Sequence, residues 1–197
     1  MAIVNNRKVN YAIHAMLQGV AFWMGYCRAT GMELYEHDCV HQAHTILRSY
    51  LARDMYAIEY EYNYKDIDKH IKSQERVDLV ILRKTPKRKT PVCVMEFKMS
   101  SNTNGGVVGD IRKLRQISKD RKITKLAVVL FYEDNADLRS ELTDGMMNDI
   151  KAKKGKVWLK GMDSREEPAL RVARVAKAMA TASKPKRSPY MAIGVVV

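Results

Sequence analysis

The amino-acid sequence predicts an α/β fold in which one mixed β-sheet is flanked by helices. Apolar side chains recur at helical spacing over residues 9–27 and roughly 35–53. Short β-branched apolar runs occupy 77–82, 92–97 and 126–132, as is typical of strands buried on both faces. Because helices and strands are interspersed along the chain, we expect them to share one sheet.

The elements follow in a definite order. Strands are predicted at 55–62, 77–82, 92–97, 126–132 and 156–160, and helices at 9–27, 35–53, 107–118, 137–153 and 167–182. The connections are a polar segment at 63–75, a basic hairpin loop with two prolines at 83–91 and a flexible loop at 100–106. We expect a single domain over 1–182, with its core at roughly 33–162, and a C-terminal tail over 183–197.

Composition narrows the class of protein. The chain has 197 residues, of which 46% are hydrophobic, enough to build one core. Its three cysteines (Cys27, Cys39 and Cys93) form no CxxC pair, which favours a reducing, intracellular and cytoplasmic setting. No apolar run approaches the ~20 residues of a membrane span, and no secretory signal begins the chain. We therefore expect no membrane partner.

Charge points to a polyanionic partner. The chain carries 35 Lys and Arg against 22 Asp and Glu, a formal net charge of +13. Residues 61–130 hold seventeen of the basic and eight of the acidic side chains, whereas residues 1–60 are balanced. A basic surface displaces counterions from phosphate chains, so nucleic acid is the expected partner. A merely solvated basic face fits the same pattern.

Ionised side chains interrupt two of the apolar strands. Asp78 lies in the first, and Glu96 and Lys98 lie at the end of the second. Burying a carboxylate without a partner is costly, so these positions need a cause. Residues i and i+2 of a strand share a face, which places Glu96 and Lys98 about 6–7 Å apart. If the two strands form a hairpin, Asp78 and Glu96 meet at its open end.

Two carboxylates with an amine nearby suit a specific chemistry. Mg²⁺ or Mn²⁺ takes oxygen ligands and keeps positions open for water and phosphate oxygens. Lys98 could orient or deprotonate an attacking water and offset negative charge in the transition state. These are the requirements of phosphodiester hydrolysis. A buried carboxylate–lysine ion pair without catalysis is the alternative.

These residues resemble a known signature. Arg76-Val77-Asp78-Leu79-Val80-Ile81 and Glu96-Phe97-Lys98, with seventeen residues between Asp78 and Glu96, are similar to the motif of the PD-(D/E)XK nuclease superfamily. That superfamily includes restriction endonucleases, Holliday-junction resolvases and phage exonucleases. The resemblance implies a restriction-endonuclease-like αβββαβ core, which matches the element order predicted from about 35 to 132. It covers about half of the chain, and Val77 stands where the motif's name has proline.

The resemblance also assigns roles to individual residues. It implies that Asp78, Glu96 and the Phe97 backbone carbonyl bind the metal ion and that Lys98 is the catalytic lysine. Many members add a carboxylate from the helix before the first strand, and Glu36 is the best match for it. Glu33 and Glu61 are weaker candidates for that ligand.

Basic residues of the helix at 107–118 are candidates for contact with DNA. Helix N-termini favour anions, and Arg112 and Lys113 add positive charge to this helix. We expect one of the two to contact backbone phosphate. A solvated helix face is an equal alternative.

Histidines 37, 41 and 44 share one helical face and could hold zinc, but a fourth ligand is not apparent and the HExxH order is absent. Histidines that are hydrogen-bonded within the protein or exposed to solvent fit this pattern better. His41 could instead lie near the metal site, because it is just over one helical turn from Glu36.

Together these features predict a Mg²⁺-dependent deoxyribonuclease, specifically an endonuclease that hydrolyses phosphodiester bonds of DNA. The helices at 9–27 and 167–182 lie outside the minimal core and could support a homodimer. The alternative is a non-cleaving nucleic-acid-binding or regulatory protein that retains the nuclease fold.

Overall fold

The computed structural model describes residues 6–51, 55–71, 74–99, 104–118, 122–131, 171–178 and 190–196. The elements in chain order are α1 (Arg7–Thr30), α2 (Glu36–Leu51), β1 (Tyr56–Asn63), α3 (Tyr64–Ile67), β2 (Arg76–Lys84), β3 (Lys89–Met99), α4 (Asn104–Gln116), β4 (Thr124–Phe131), β5 (Arg171–Ala178) and β6 (Tyr190–Val196). The prediction of a mixed sheet flanked by helices is confirmed. None of the helices in these ranges is long and apolar enough to cross a lipid bilayer.

The sheet has the strand order β1-β2-β3-β4-β6-β5. Strands β1, β2 and β3 are successive antiparallel neighbours, whereas β3 and β4 are parallel and are connected through α4. Parallel neighbours need such a crossover, and a helix is its usual form. The order α2, β1, β2, β3, α4, β4 agrees with the predicted order of these elements.

Alternation along the strands divides the core between two faces of the sheet. One set of inward side chains, which includes Leu79, Met95 and Phe97, joins a single buried cluster with α1 and α2. The intervening side chains, such as Val80 and Val94, are also buried but stand outside that cluster. Since α4 contacts β3 and β4, it covers this second face. Helices therefore cover both faces of the sheet. Strands whose side chains are apolar on both faces need such cover.

Two helix ends are set by local chemistry. The side chain of Asn6 accepts hydrogen bonds from the backbone N–H groups of Lys8 and Val9, both at 3.1 Å, and so caps the start of α1. At the other end, Gly31 adopts a φ of 71°, which a residue without Cβ tolerates. The chain then turns into α2, where the N–H of Tyr35 donates to the Asp38 carboxylate at 2.9 Å.

Several sequence predictions need correction in this central region. The basic loop is shorter than predicted, because β3 already begins at Lys89 and the turn closes between Thr85 and Arg88. Pro91 lies inside β3 at a register shift, a position where a missing N–H is tolerated. The connection over 63–75 contains the short helix α3, and α4 begins at Asn104, inside the predicted flexible loop.

The C-terminal predictions are wrong where the structure describes them. We predicted a helix over 167–182, but Arg171–Ala178 is strand β5, and within the predicted tail over 183–197 Tyr190–Val196 is strand β6. Both belong to the sheet, because β6 pairs with β4 and with β5. The predicted helix at 137–153 and strand at 156–160 lie outside the described residues.

Candidate active site

The predicted acidic pair lies where two strands stop pairing. The β2–β3 ladder ends at the pair Leu79 and Met95, whereas β3 continues beside β4 as far as Met99. Asp78 and Glu96 are the next residues after the last β2–β3 pair. Their side chains therefore emerge at the open end of the hairpin, as the sequence predicts.

Side chains replace the backbone ladder at this point. The N–H of Phe97 donates to Oδ2 of Asp78 at 2.7 Å, and the N–H of Asp78 donates to Oε2 of Glu96 at 3.4 Å. Each carboxyl group thus accepts a backbone hydrogen bond from the opposite strand. The two acids are fixed against each other by this reciprocal arrangement.

Glu96 is the more deeply buried of the two acids, with 4% of its surface exposed. Its Oε1 accepts a hydrogen bond of 2.6 Å from the hydroxyl of Tyr64. Burial, followed by repulsion from Asp78, raises the pKa of Glu96 to about 8. Glu96 is therefore largely protonated at neutral pH.

Asp78 shares this environment. Burial raises the pKa of Asp78, while the hydrogen bonds from Phe97 and Glu96 oppose that rise. The side-chain hydrogen bond between the two acids raises the pKa of Glu96 and lowers that of Asp78. The two carboxyl groups therefore titrate as a pair, in which Glu96 keeps its proton to higher pH than an ordinary glutamate.

Lys98 lies beside this pair and is held by α2. Its Nζ is 3.0 Å from Oε1 of Glu36, and Oε2 of the same carboxylate accepts a 2.8 Å hydrogen bond from the N–H of Met99. Burial lowers the pKa of Lys98, but the bond to Glu36 and the attraction of Asp110 and Asp78 outweigh it, so the net pKa is raised. Lys98 is therefore an ammonium ion at neutral pH.

Helix α4 contributes a further acid, Asp110, which is 9% exposed. It lies 3.4 Å from the ammonium of Lys113, and its charge acts on Glu96 and Lys98. Burial raises the pKa of Asp110, although Lys113 and Lys98 oppose the rise. Of the two predicted DNA-contacting residues, Lys113 thus belongs to the site's charge network, whereas Arg112 is exposed on α4.

A cleft of about 300 Å³ gives access to Asp78, whereas Glu96 lies behind it and does not line the cleft. It is lined by Glu36, His37, Val40, His41, Tyr60, Glu61 and Asp78. His41 therefore lies next to the site, as the sequence suggests. Glu61 also borders the cleft, where it has a φ of 42° and pairs with Arg76 at 3.0 Å. Glu33, by contrast, accepts the hydroxyl hydrogen bond of exposed Tyr35.

The histidines of α2 contact aromatic rings and backbone or carboxylate oxygens. Within the described ranges, no three His, Cys, Asp or Glu side chains are arranged to hold a metal ion. His44 stacks on Tyr60 with ring centroids 3.9 Å apart, and its Nε2 lies 3.3 Å from the carbonyl of Ile58. His37 stacks on Tyr35 and lies 3.3 Å from Asp38. These rings are satisfied by aromatic and hydrogen-bond partners.

Two site residues were not predicted. Tyr64 lies in the segment at 63–75 that was predicted as a polar connection, but it begins α3 and is 1% exposed. Asp110 was overlooked beside its basic neighbours. Its spacing of three residues from Lys113 was the available signal, since side chains at i and i+3 meet on a helix.

Comparison with protein-family models, with curated proteins and with solved structures finds no match for this chain. The functional argument therefore depends on the geometry of the residues described above.

Proposed function

We propose that this chain is a Mg²⁺-dependent deoxyribonuclease of the PD-(D/E)XK type, with Mn²⁺ as a substitute ion. The observation that carries the proposal is the meeting of Asp78 and Glu96 at the open end of a hairpin, beside the ammonium of Lys98. The element order α2, β1, β2, β3, α4, β4 supports it, because the family resemblance implies an αβββαβ core. The short helix α3 is an insertion in that order.

The chemistry of the acidic pair suits a divalent cation. Burial raises the pKa of both carboxyl groups, and the charge of Asp78 raises the pKa of Glu96 further, so ionising both groups here is costly. A divalent cation in place of the proton on Glu96 would relieve both effects. Two carboxylates also suit Mg²⁺, which keeps several waters and is commonly held by one or two carboxylates plus phosphate oxygens.

We assign the ligands to Asp78, Glu96 and the backbone carbonyl of Phe97. Glu36 is joined directly to the ammonium of Lys98, so we assign it the role of positioning that lysine and not the ligand role that the resemblance implies. Its other oxygen accepts the N–H of Met99. When bound, the ion would lower the pKa of a coordinated water and polarise the phosphate.

Lys98 would then stabilise negative charge and would not act as a general base. Because its pKa is raised, it keeps its proton at neutral pH and cannot readily accept one from water. Its ammonium can orient the attacking water and offset the negative charge that develops on the phosphate oxygens. Asp110 and Glu36 hold this positive charge in place.

Cleavage assays test the proposal. We expect the wild-type chain to cut plasmid or oligonucleotide DNA with Mg²⁺ or Mn²⁺ and not with EDTA. Asp78→Asn and Lys98→Ala should each lower the rate by at least about 100-fold. Asp66→Asn, which removes an exposed carboxylate of α3, is the matched control and should cut normally.

Two outcomes would overturn the proposal. Cleavage that persists in Asp78→Asn and Lys98→Ala would remove the assigned site. Metal-independent binding without any cleavage would favour the non-cleaving nucleic-acid-binding protein. RNA and DNA oligonucleotides of the same sequence, compared in the same assay, distinguish a ribonuclease from a deoxyribonuclease.

A further inference from the structure

A second depression continues from the acidic cleft along the outer face of α2. It has a volume of about 410 Å³ and is lined by His41, His44, Thr45, Arg48 and Tyr60. His41 and Tyr60 line the acidic cleft as well. The two depressions therefore adjoin at these two side chains, and a chain-like ligand can reach from one to the other across them.

The charge of the lining changes from negative in the first cleft to positive in the second depression. Three carboxylates, from Glu36, Glu61 and Asp78, border the first cleft, whereas none borders the second. Arg48 supplies the positive charge of the second depression, since burial lowers the pKa of its neighbour His44. Arg48 is exposed, and among the described residues no carboxylate pairs with it.

The side chains that line the second depression are held by contacts with one another. The rings of His41 and His44 both stack on Tyr60, with centroids 5.8 and 3.9 Å away. The hydroxyl of Thr45 donates to the carbonyl of His41 at 3.1 Å, so its own hydrogen is already used. Arg48 thus offers several N–H donors on a permanently charged group. A guanidinium binds phosphate oxygens through paired hydrogen bonds, which makes a phosphodiester the best-suited ligand.

We propose that the depression around Arg48 binds a backbone phosphate of the same nucleic-acid strand whose scissile phosphate lies in the acidic cleft. This inference rests on the proposed function for the identity of the first cleft, and it adds the direction in which the strand leaves it. The strand runs from Asp78 across His41 and Tyr60 to Arg48. An isolated small anion would fill only the second depression and would gain nothing from its continuity with the first.

The test compares two arginines of equal charge. Arg48→Ala removes the proposed phosphate contact, and Arg7→Ala removes an exposed arginine at the start of α1, outside both depressions. Binding of fluorescent single-stranded and double-stranded DNA is measured in EDTA, so that no cleavage is needed. Arg48→Ala should weaken binding about tenfold and reduce the slope of log affinity against log salt by about 0.7–0.9. Arg7→Ala should change affinity less than twofold.

A neutral linkage locates the contact. Single methylphosphonates are placed at successive positions in the oligonucleotide, and each is bound to wild type and to Arg48→Ala. At one position, to one side of the cleavage point, the neutral linkage should weaken wild-type binding but leave the variant unaffected. Arg48→Lys should recover part of the affinity, which a folding defect would not explain.

The possible failures are distinguishable. Equal affinity of Arg48→Ala and Arg7→Ala, with cleavage still dependent on Asp78, would overturn this inference and leave the nuclease proposal intact. Absence of cleavage, with an Arg48-specific loss of binding and a single sensitive linkage, would overturn the nuclease proposal and keep Arg48 as a phosphate contact. Sensitivity to Arg48 without any position-specific linkage would also overturn the inference, because it would indicate only a general electrostatic effect.

Discussion

Glu96 couples the stability of the protein to pH through one buried carboxyl group. Its pKa is about 8 in the folded chain, because burial and Asp78 oppose its ionisation, whereas an unfolded glutamate ionises near its ordinary value of 4.5. Between these two values the folded state keeps a proton that the unfolded state releases. Stability must therefore fall as pH rises through this interval.

We predict that, in EDTA, the free energy of unfolding falls from pH 5 to pH 8 by about 1.4 kcal/mol per pH unit. Glu96→Gln should flatten this dependence, because the amide does not titrate. Urea denaturation at several pH values measures the effect, with Glu33→Gln as the control on an exposed acid. If stability depends on pH equally in Glu96→Gln and wild type, Glu96 is not the group that couples stability to pH.

Tyr64 adjusts the same group. Its hydroxyl donates to Glu96 and lowers the pKa of that acid against the larger effect of burial. Tyr64→Phe should raise the pKa of Glu96 further, which moves the acidic limb of Mg²⁺-dependent cleavage to higher pH. The lost buried hydrogen bond should also cost about 1–2 kcal/mol of stability.

The pH–rate profile of Tyr64→Phe, set against that of Tyr11→Phe on the exposed face of α1, measures this shift. A uniform loss of rate at every pH, with no shift of the limb, would assign Tyr64 a purely structural role.

Among single residues, the sequence predicts as site residues those that interrupt the apolar pattern of a strand. Asp78, Glu96 and Lys98 stand out because a charge inside an apolar strand demands a partner. Tyr64 obeys its local pattern, so nothing along the chain marks it, and Asp110 is marked only by its spacing of three residues from Lys113. They reach the site only because α3 and α4 are folded against the sheet.

At the scale of elements, the start of α2 is joined to the end of β3 by one side chain. Glu36 accepts hydrogen bonds from Lys98 and from the backbone of Met99. Glu36→Ala leaves both donors without this acceptor, and we predict a loss of about 1–3 kcal/mol of stability together with reduced cleavage. Thermal denaturation measures the first effect, with Glu33→Ala as the matched control. Equal stability of the two variants would mean that the Glu36 contacts contribute nothing to the docking of α2.

Strands β2, β3 and β4 were predictable because each contains a short, largely apolar and β-branched run of strand length. Strand β5 was not, because Arg171, Arg174 and Lys177 recur every three residues and imitate a helical face. Pairing with β6 decides its conformation, a tertiary effect that a single segment does not reveal. Strand β6 follows a basic, proline-containing stretch, which suggested a tail.

At the scale of the whole molecule, the net charge of +13 should dominate affinity for nucleic acid. Each phosphate that a lysine or arginine neutralises releases condensed counterions, so binding must weaken as salt rises. We predict at least a tenfold loss of DNA affinity between 50 and 200 mM salt. Fluorescence anisotropy in EDTA measures this loss, and a flat salt response would exclude a surface that follows the phosphate backbone.

The central claim is that Asp78 and Glu96 together hold one divalent cation where they now hold one proton. Calorimetric titration with Mn²⁺ near pH 7, repeated in buffers of different ionisation enthalpy, counts both the bound ions and the released protons. The account predicts one Mn²⁺ per chain with release of about one proton, and loss of both in Asp78→Asn and Glu96→Gln. Mn²⁺ binding that is unchanged in these variants, or that releases no proton, would contradict it.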